Sequence, residues 1–339
     1  MSLVKLHVLW QILRPRTLII IWLHVCLGYI LVSSELPGAI DVILVLLATA
    51  LAYMHAVAIN DISDEAVDSL NAKLLEADND RPLLTHSVTI RELKYISGVI
   101  AVLFLIVCAF ISWWMIPVAV VLLFLNMAYS LEPIRISARG IYAQLLLPFM
   151  YVVFPMIAAI GAVGEVTVPF FVVMIGAYLM FVGRLLLKDI RDEDGDRQAQ
   201  KLTFLVRRGL RPTLLLSFIF LTGGIIVSFI QLLVLDASEW AGMGIAVIIA
   251  IVGSAWALKH CYDESKLEYK LLYVGMVGRF ASMWTFFIVM HILIGLSHVT
   301  VWQQLFFEVI TIGIFLAGIR VLHEELIVVK SKSVRAKRR

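Results

Sequence analysis

Charge is scarce in this chain. Asp, Glu, Lys and Arg make up 16% of 339 residues while 61% are hydrophobic, against roughly 25% charged in soluble globular domains. With a mean hydropathy of +0.96, a soluble globular protein is excluded. Cysteine is scarce too: Cys26, Cys108 and Cys261 have no metal-binding or redox spacing, which leaves packing as their role. The start of the sequence is not expected to act as a cleavable signal, because Arg14 and Arg16 precede the first apolar run and no small-x-small site ends it. No linker or low-complexity stretch interrupts the chain before its basic end, so residues 1–325 read as one membrane domain and 326–339 as a basic cytoplasmic tail.

What is present is a succession of apolar runs near the ~20 residues that cross a bilayer. They predict spans at 17–34, 40–59, 95–112, 115–131, 141–161, 167–187, 212–234, 240–258, 273–295 and 302–322. The fold class is therefore all-α, a polytopic membrane bundle. Loops near 33–39, 112–117, 162–169, 235–239 and 296–301 contain no Lys or Arg, only acids such as Glu35, Glu165, Asp236 and Glu239. Nearly all 28 basic residues fall in the alternate segments and the two tails, which predicts both termini on the cytoplasmic side. That basic face suits anionic lipid headgroups; nothing at the level of fold supports nucleic-acid binding.

Two acidic motifs lie on the basic side. The first runs Asn60-Asp61-Ile62-Ser63-Asp64-Glu65-Ala66-Val67-Asp68, the second Asp189-Ile190-Arg191-Asp192-Glu193-Asp194-Gly195-Asp196. Both set aspartates at i, i+3 and i+7, one face of a helix. Carboxylates stacked that way repel unless a cation sits among them, and Mg²⁺ characteristically shares carboxylates with substrate phosphates. Two such faces predict a metal-bridged diphosphate site at the cytoplasmic mouth of the spans.

Asn60-Asp61-x-x-Asp64-x-x-x-Asp68 followed by Arg81-Pro82-Leu83 resembles the first signature of the UbiA-type intramembrane prenyltransferases. Lys188-Asp189-x-x-Asp192-x-x-Gly195-Asp196-Arg197 followed by Lys201-x-Thr203-Phe204 resembles the second. Weaker echoes are Arg14-Pro15-Arg16-Thr17-Leu18 and Tyr129-Ser130-x-x-Pro133. The resemblance implies a bundle of about nine spans around a central cavity, with cytoplasmic cap loops carrying the motifs. It further implies Mg²⁺, a polyprenyl diphosphate donor, a membrane-associated acceptor and release of diphosphate. On it Asp64, Asp68, Asp192 and Asp196 are expected to be catalytic metal ligands. Asn60, Asp61 and Asp189 are expected as further ligands or as side chains that orient them. Arg81, Arg135, Lys188, Arg197 and Lys201 are the diphosphate-binding candidates, since cations near the motifs suit phosphate oxygens.

Departures from the pattern fall close to these positions. Glu65 stands where Arg is frequent, Thr85-His86 replaces a Ser-Gly pair, Ser137 replaces a Lys, and Gln200 replaces a Gly. Motif two resembles the form found in quinone, tocopherol, chlorophyll and archaeal ether-lipid enzymes more than the 4-hydroxybenzoate form, so an aromatic quinone precursor is the first acceptor expected and a glycerol- or sugar-phosphate lipid the second. Alternatives are an isoprenoid cyclase without an external acceptor and a divalent-cation transporter. Transport predicts acids at mid-membrane, whereas charge within these spans is sparse. A CDP-linked lipid transferase needs an Asp-Gly-x-x-Ala-Arg run that neither motif contains. His24 and His55, inside spans, are expected to be neutral and hydrogen-bonded. Glu308 lies in the last run without an evident partner.

Overall fold

The computed structural model describes residues 3–32, 38–75, 81–163, 168–234 and 240–279. The predicted span 302–322, most of 273–295, Glu308, the acids Glu35, Glu165, Asp236 and Glu239, and the basic tail lie outside them. Within these residues the chain is helical, and its single strand-like feature is an isolated bridge between Gly140 and Thr203.

The helices include α1 (Leu3–Leu13), α2 (Pro15–Val32), α3 (Ala39–Ser63), α4 (Glu65–Leu75), α5 (Ile90–Ile111), α6 (Met115–Ser130), α7 (Ile141–Pro148), α8 (Phe154–Val163), α9 (Val168–Leu186), α10 (Glu193–Gln198), α11 (Phe204–Arg208), α12 (Leu210–Val234) and α13 (Trp240–Asp263). Among the described residues five helical stretches are long and apolar enough to cross a membrane, or six if the bent pair α1–α2 counts as one. The protein is an integral membrane helical bundle. The apolar runs located these helices to within a few residues, because in lipid every backbone group must be satisfied inside its own segment.

Two compact units make up the chain. The first holds Met1–Phe170 and Asp192–Gly209. Its centre is α3, which packs on α2, α5, α6 and α8 and buries Val45, Ala48, Leu51, Ala52 and Val57. α7 and α8 form one span through a π-helical turn, Phe149–Val153, directly after Pro148. Both histidines are bonded as expected: His24 Nδ1 to the Ile20 carbonyl at 2.8 Å, and His55 Nδ1 to Asn126 Nδ2 at 3.2 Å.

The second unit holds Phe171–Arg191 and Leu210–Arg339. Here α9 and α12 cross at small residues. A Cβ on Gly183 would stand 2.7 Å from the Ser217 carbonyl oxygen, and the Ser217 hydroxyl donates to the Gly183 carbonyl at 2.7 Å. Close backbone approach of this kind is how spans pack when lipid offers no hydrophobic driving force between them.

Candidate active site

Neither aspartate motif is one continuous helix. α3 ends at Ser63; Asp64 is its C-cap, and α4 restarts at Glu65. The ladder still carries through, since the Asp64 amide donates to the Asn60 carbonyl and the Asp68 amide to Asp64. Asp61, Asp64 and Asp68 are therefore all buried despite the break. Motif two is more broken: Asp189 is on a 3-10 turn (Lys188–Ile190) in the second unit, Asp192 is the N-cap of α10, and Asp196 is buried within α10. Burial thus marks every aspartate of the i, i+3, i+7 spacing except the half-buried Asp192, and the spacing is not a single helical face.

Within the first unit the carboxylates meet cations rather than one another. Arg14 Nη2 donates to Asp61 Oδ1 at 2.6 Å. Arg81 is ion-paired with Asp68, and its Nη1 lies 3.7 Å from Asp61 Oδ1. Asp64 accepts from Arg135 Nη2 at 3.1 Å, from Lys201 Nζ at 2.7 Å and from Asn60 Nδ2 at 3.1 Å. Lys201 Nζ also lies 4.0 Å from Asp196 Oδ1, so one ammonium joins the two motifs.

Loop geometry aims these cations. The Ser63 hydroxyl donates to the Ser130 carbonyl at 2.5 Å, tying the end of α6 to the end of α3. Arg135 then takes a left-handed backbone, φ 34°, a costly conformation for a residue with a Cβ that is kept where the surroundings impose it. The Gly140 amide donates to the Leu202 carbonyl at 3.0 Å, which holds the Arg135 loop against the Lys201 loop. Gln200 and His86, standing where the resemblance expects glycine, are both left-handed at φ 56° and 53°. The glycine pattern therefore reflects backbone demand, and this chain meets it with side chains.

The electrostatics follow from burial against pairing. Burial alone would raise the Asp64 carboxyl, but Lys201 and Arg135 outweigh it and hold it below the ordinary carboxylate range. Burial opposes the Lys201 charge, yet Asp64 and Asp196 outweigh that and raise it. At Arg14 burial is likewise overcome, chiefly by Asp61. At Arg81 burial wins and lowers the guanidinium.

Three of the expected diphosphate-binding residues, Arg81, Arg135 and Lys201, converge on the motifs. Arg197 does not: it is exposed and pairs with Glu193 at 2.9 Å, four residues back. Lys188 is exposed in the second unit. Two positions went unrecognised as site residues in the sequence. Arg14 carried a signal, its place in Arg14-Pro15-Arg16, but its pairing with Asp61 spans 47 residues. Asn71 carried none; it is buried on α4 against Gly195 of motif two, where a Cβ would collide with its Oδ1.

The match to known proteins follows the same residues. The model of the UbiA prenyltransferase family matches residues 21–273, which include both motifs and every cation named above except Arg14. This chain belongs to the UbiA prenyltransferase family. It is an integral membrane prenyltransferase. The homogentisate phytyltransferase of Synechocystis sp. is 24% identical over 290 residues, covering 78% of this chain and 89% of that protein. A UbiA homolog from Archaeoglobus fulgidus, solved bound to GPP and Mg²⁺, has the same fold with a TM-score of 0.65 at 16% identity, over 85% of this chain and 99% of that one. A digeranylgeranylglyceryl phosphate synthase gives a TM-score of 0.63 at 18% identity, over 87% and 99%.

Among the described residues no three His, Cys, Asp or Glu side chains form a ready-made metal cage. The donor set still suits Mg²⁺, which takes one or two carboxylates and completes its shell with water and phosphate oxygens. Charge makes the same point. Asp61, Asp64, Asp68, Asp192 and Asp196 against Arg14, Arg81, Arg135 and Lys201 give 4 − 5 = −1 when all are ionised. The built-in cations are consumed by the built-in carboxylates, which leaves the cluster without net positive charge.

Proposed function

We propose that this protein catalyses Mg²⁺-dependent transfer of a polyprenyl group from a polyprenyl diphosphate to a membrane-associated acceptor, with both termini and the active site cytoplasmic. The observation that carries the reading is the convergence of Arg81, Arg135 and Lys201 on the buried carboxylates of both motifs. Asp64, Asp68, Asp192 and Asp196 are the proposed metal ligands, with Asn60, Asp61 and Asp189 as further ligands or as residues that orient them.

When bound, Mg²⁺ supplies Lewis-acid neutralisation of the departing diphosphate. Arg81 and Arg135 engage phosphate oxygens through paired N–H donors and Lys201 as a point charge. Fixed cations aimed at the leaving group stabilise charge as it develops, without reorganisation. The allylic C–O bond breaks with its electron pair going to diphosphate. The acceptor's nucleophilic atom bonds to the allylic carbon and releases a proton.

An aromatic quinone precursor is the acceptor we favour. Its support is the Synechocystis relative, a homogentisate phytyltransferase; the digeranylgeranylglyceryl phosphate synthase fold supports a glycerol- or sugar-phosphate lipid second. The test is to supply purified protein with C10 to C20 and longer prenyl diphosphates, with and without Mg²⁺, and with homogentisate or glycerol-phosphate lipids, and to weigh the product by mass spectrometry. A prenylated aromatic is the expected product. A prenylated phosphate lipid reassigns the acceptor, and diphosphate release without an acceptor overturns the transferase reading in favour of a cyclase or hydrolase.

A further inference from the structure

Resting on the prenyl-transfer reading, we propose that Tyr53 and Tyr151 form an aromatic wall that faces the allylic carbon as its positive charge develops. Pro148 has no N–H to give the helical ladder, and directly after it the span widens into the π turn Phe149–Val153. Turns of this kind concentrate at functional sites. Tyr151 sits in the middle of this one and meets Tyr53 of α3, ring centroids 5.6 Å apart and planes at 60°. Tyr53 is buried and Tyr151 half-buried.

On α3 the positions Tyr53, Val57, Asn60 and Asp64 follow i, i+4, i+7 and i+11, one helical face. Tyr53 therefore lies seven residues, about 10 Å along the axis, on the membrane side of Asn60. A prenyl diphosphate held by the carboxylates and cations puts its diphosphate at the cytoplasmic end of that face and its hydrocarbon along the rest. Arg14, bonded to Asp61 at 2.6 Å, also lies within electrostatic reach of both tyrosines. An allylic cation needs a dry surface with π faces, since water captures it.

The test compares Tyr151→Phe and Tyr151→Leu in the full-length protein with Mg²⁺. Tyr151→Leu is expected to lower kcat about 10- to 30-fold, leave the donor KM within about twofold and raise the share of prenyl alcohol from water capture. Tyr151→Phe, which keeps the ring, is expected to stay within about threefold. Wild-type kcat and product partition in Tyr151→Leu would overturn the proposal, as would equal losses in both variants, which would assign the hydroxyl instead.

A binding measurement reads the same claim without turnover. Geranylgeranyltrimethylammonium, with inorganic diphosphate and Mg²⁺, is a permanent cation of the right shape. Tyr151→Leu is expected to weaken it about tenfold while geranylgeranyl diphosphate binding holds, and unchanged ammonium affinity would overturn the wall. If the wild-type protein shows no Mg²⁺-dependent prenyl diphosphate binding, the proposed function itself fails and takes this proposal with it.

Discussion

Lys201 and Asp64 form an ion pair 2.7 Å long across 137 residues of sequence. With Asp196 at 4.0 Å on its other side, this ammonium ties the end of α3 to the segment that carries motif two. Removing it leaves two buried carboxylates with one fewer cation, which is costlier than losing an exposed pair. Lys201→Met is expected to reduce prenyl transfer by about 100-fold while the protein remains folded, and Lys201→Arg to recover part of it. Steady-state turnover with saturating Mg²⁺ checks this, and a fully active Lys201→Met would assign the residue to topology alone.

Gly195 offers a separate lever on the same junction. A Cβ there collides with Asn71 Oδ1, so Gly195→Ala forces α10 away from α4 and is expected to cut activity at least tenfold, because small misplacements at a reacting centre are costly. The double variant Gly195→Ala/Asn71→Ala removes the colliding atom and should regain most of the loss. Failure to regain it would mean that Asn71 itself contributes to the site.

Gln200 predicts a gain. Its φ of 56° is in the left-handed region, where a Cβ costs roughly 1–2 kcal/mol. Gln200→Gly is expected to raise stability by about 0.5–1 kcal/mol after the added chain entropy of glycine. Thermal unfolding in detergent measures it; a lower midpoint would show that the Gln200 side chain contributes more than its strain costs.

Asp64 gives the pH dependence. Its folded value lies below its unfolded value near 3.9, so its pairing stabilises the protein above about pH 4 and is lost as pH falls through the lower folded value. Lys201 is raised, so its contribution holds below its unfolded value near 10.4 and is lost as pH rises through the folded one. In metal-free buffer the stability gap between wild type and Asp64→Asn is expected to be about 2–3 kcal/mol, flat across the neutral range and shrinking below pH 4. A gap that stays constant to pH 2 would contradict the pairing.

The spans were legible because hydrocarbon leaves the backbone no partner but itself; apolar length predicts helix with little competition. α3, α5 and α9 accordingly lie where their runs predict. The motifs were legible as composition but not as conformation: the chain breaks at Asp64 and again at Lys188–Ile190, and no periodicity announces a helix end inside a charged stretch. Arg197 illustrates the local rule winning, since its i, i+4 partner Glu193 claims it. Arg135, Lys201 and Arg14 are paired through loop geometry across long sequence separations, which spacing does not encode. Resemblance pointed to Arg135 and Lys201 among them; it did not mark Tyr151, whose position depends on a π turn.

The most direct test of the central claim is Mg²⁺-dependent binding of geranylgeranyl diphosphate to the purified protein, measured by calorimetry on wild type, Asp64→Asn and Asp196→Asn. Binding that requires Mg²⁺ in the wild type and falls at least tenfold in each variant is the result this site predicts. Tight binding that ignores Mg²⁺, or that both variants retain unchanged, would contradict it.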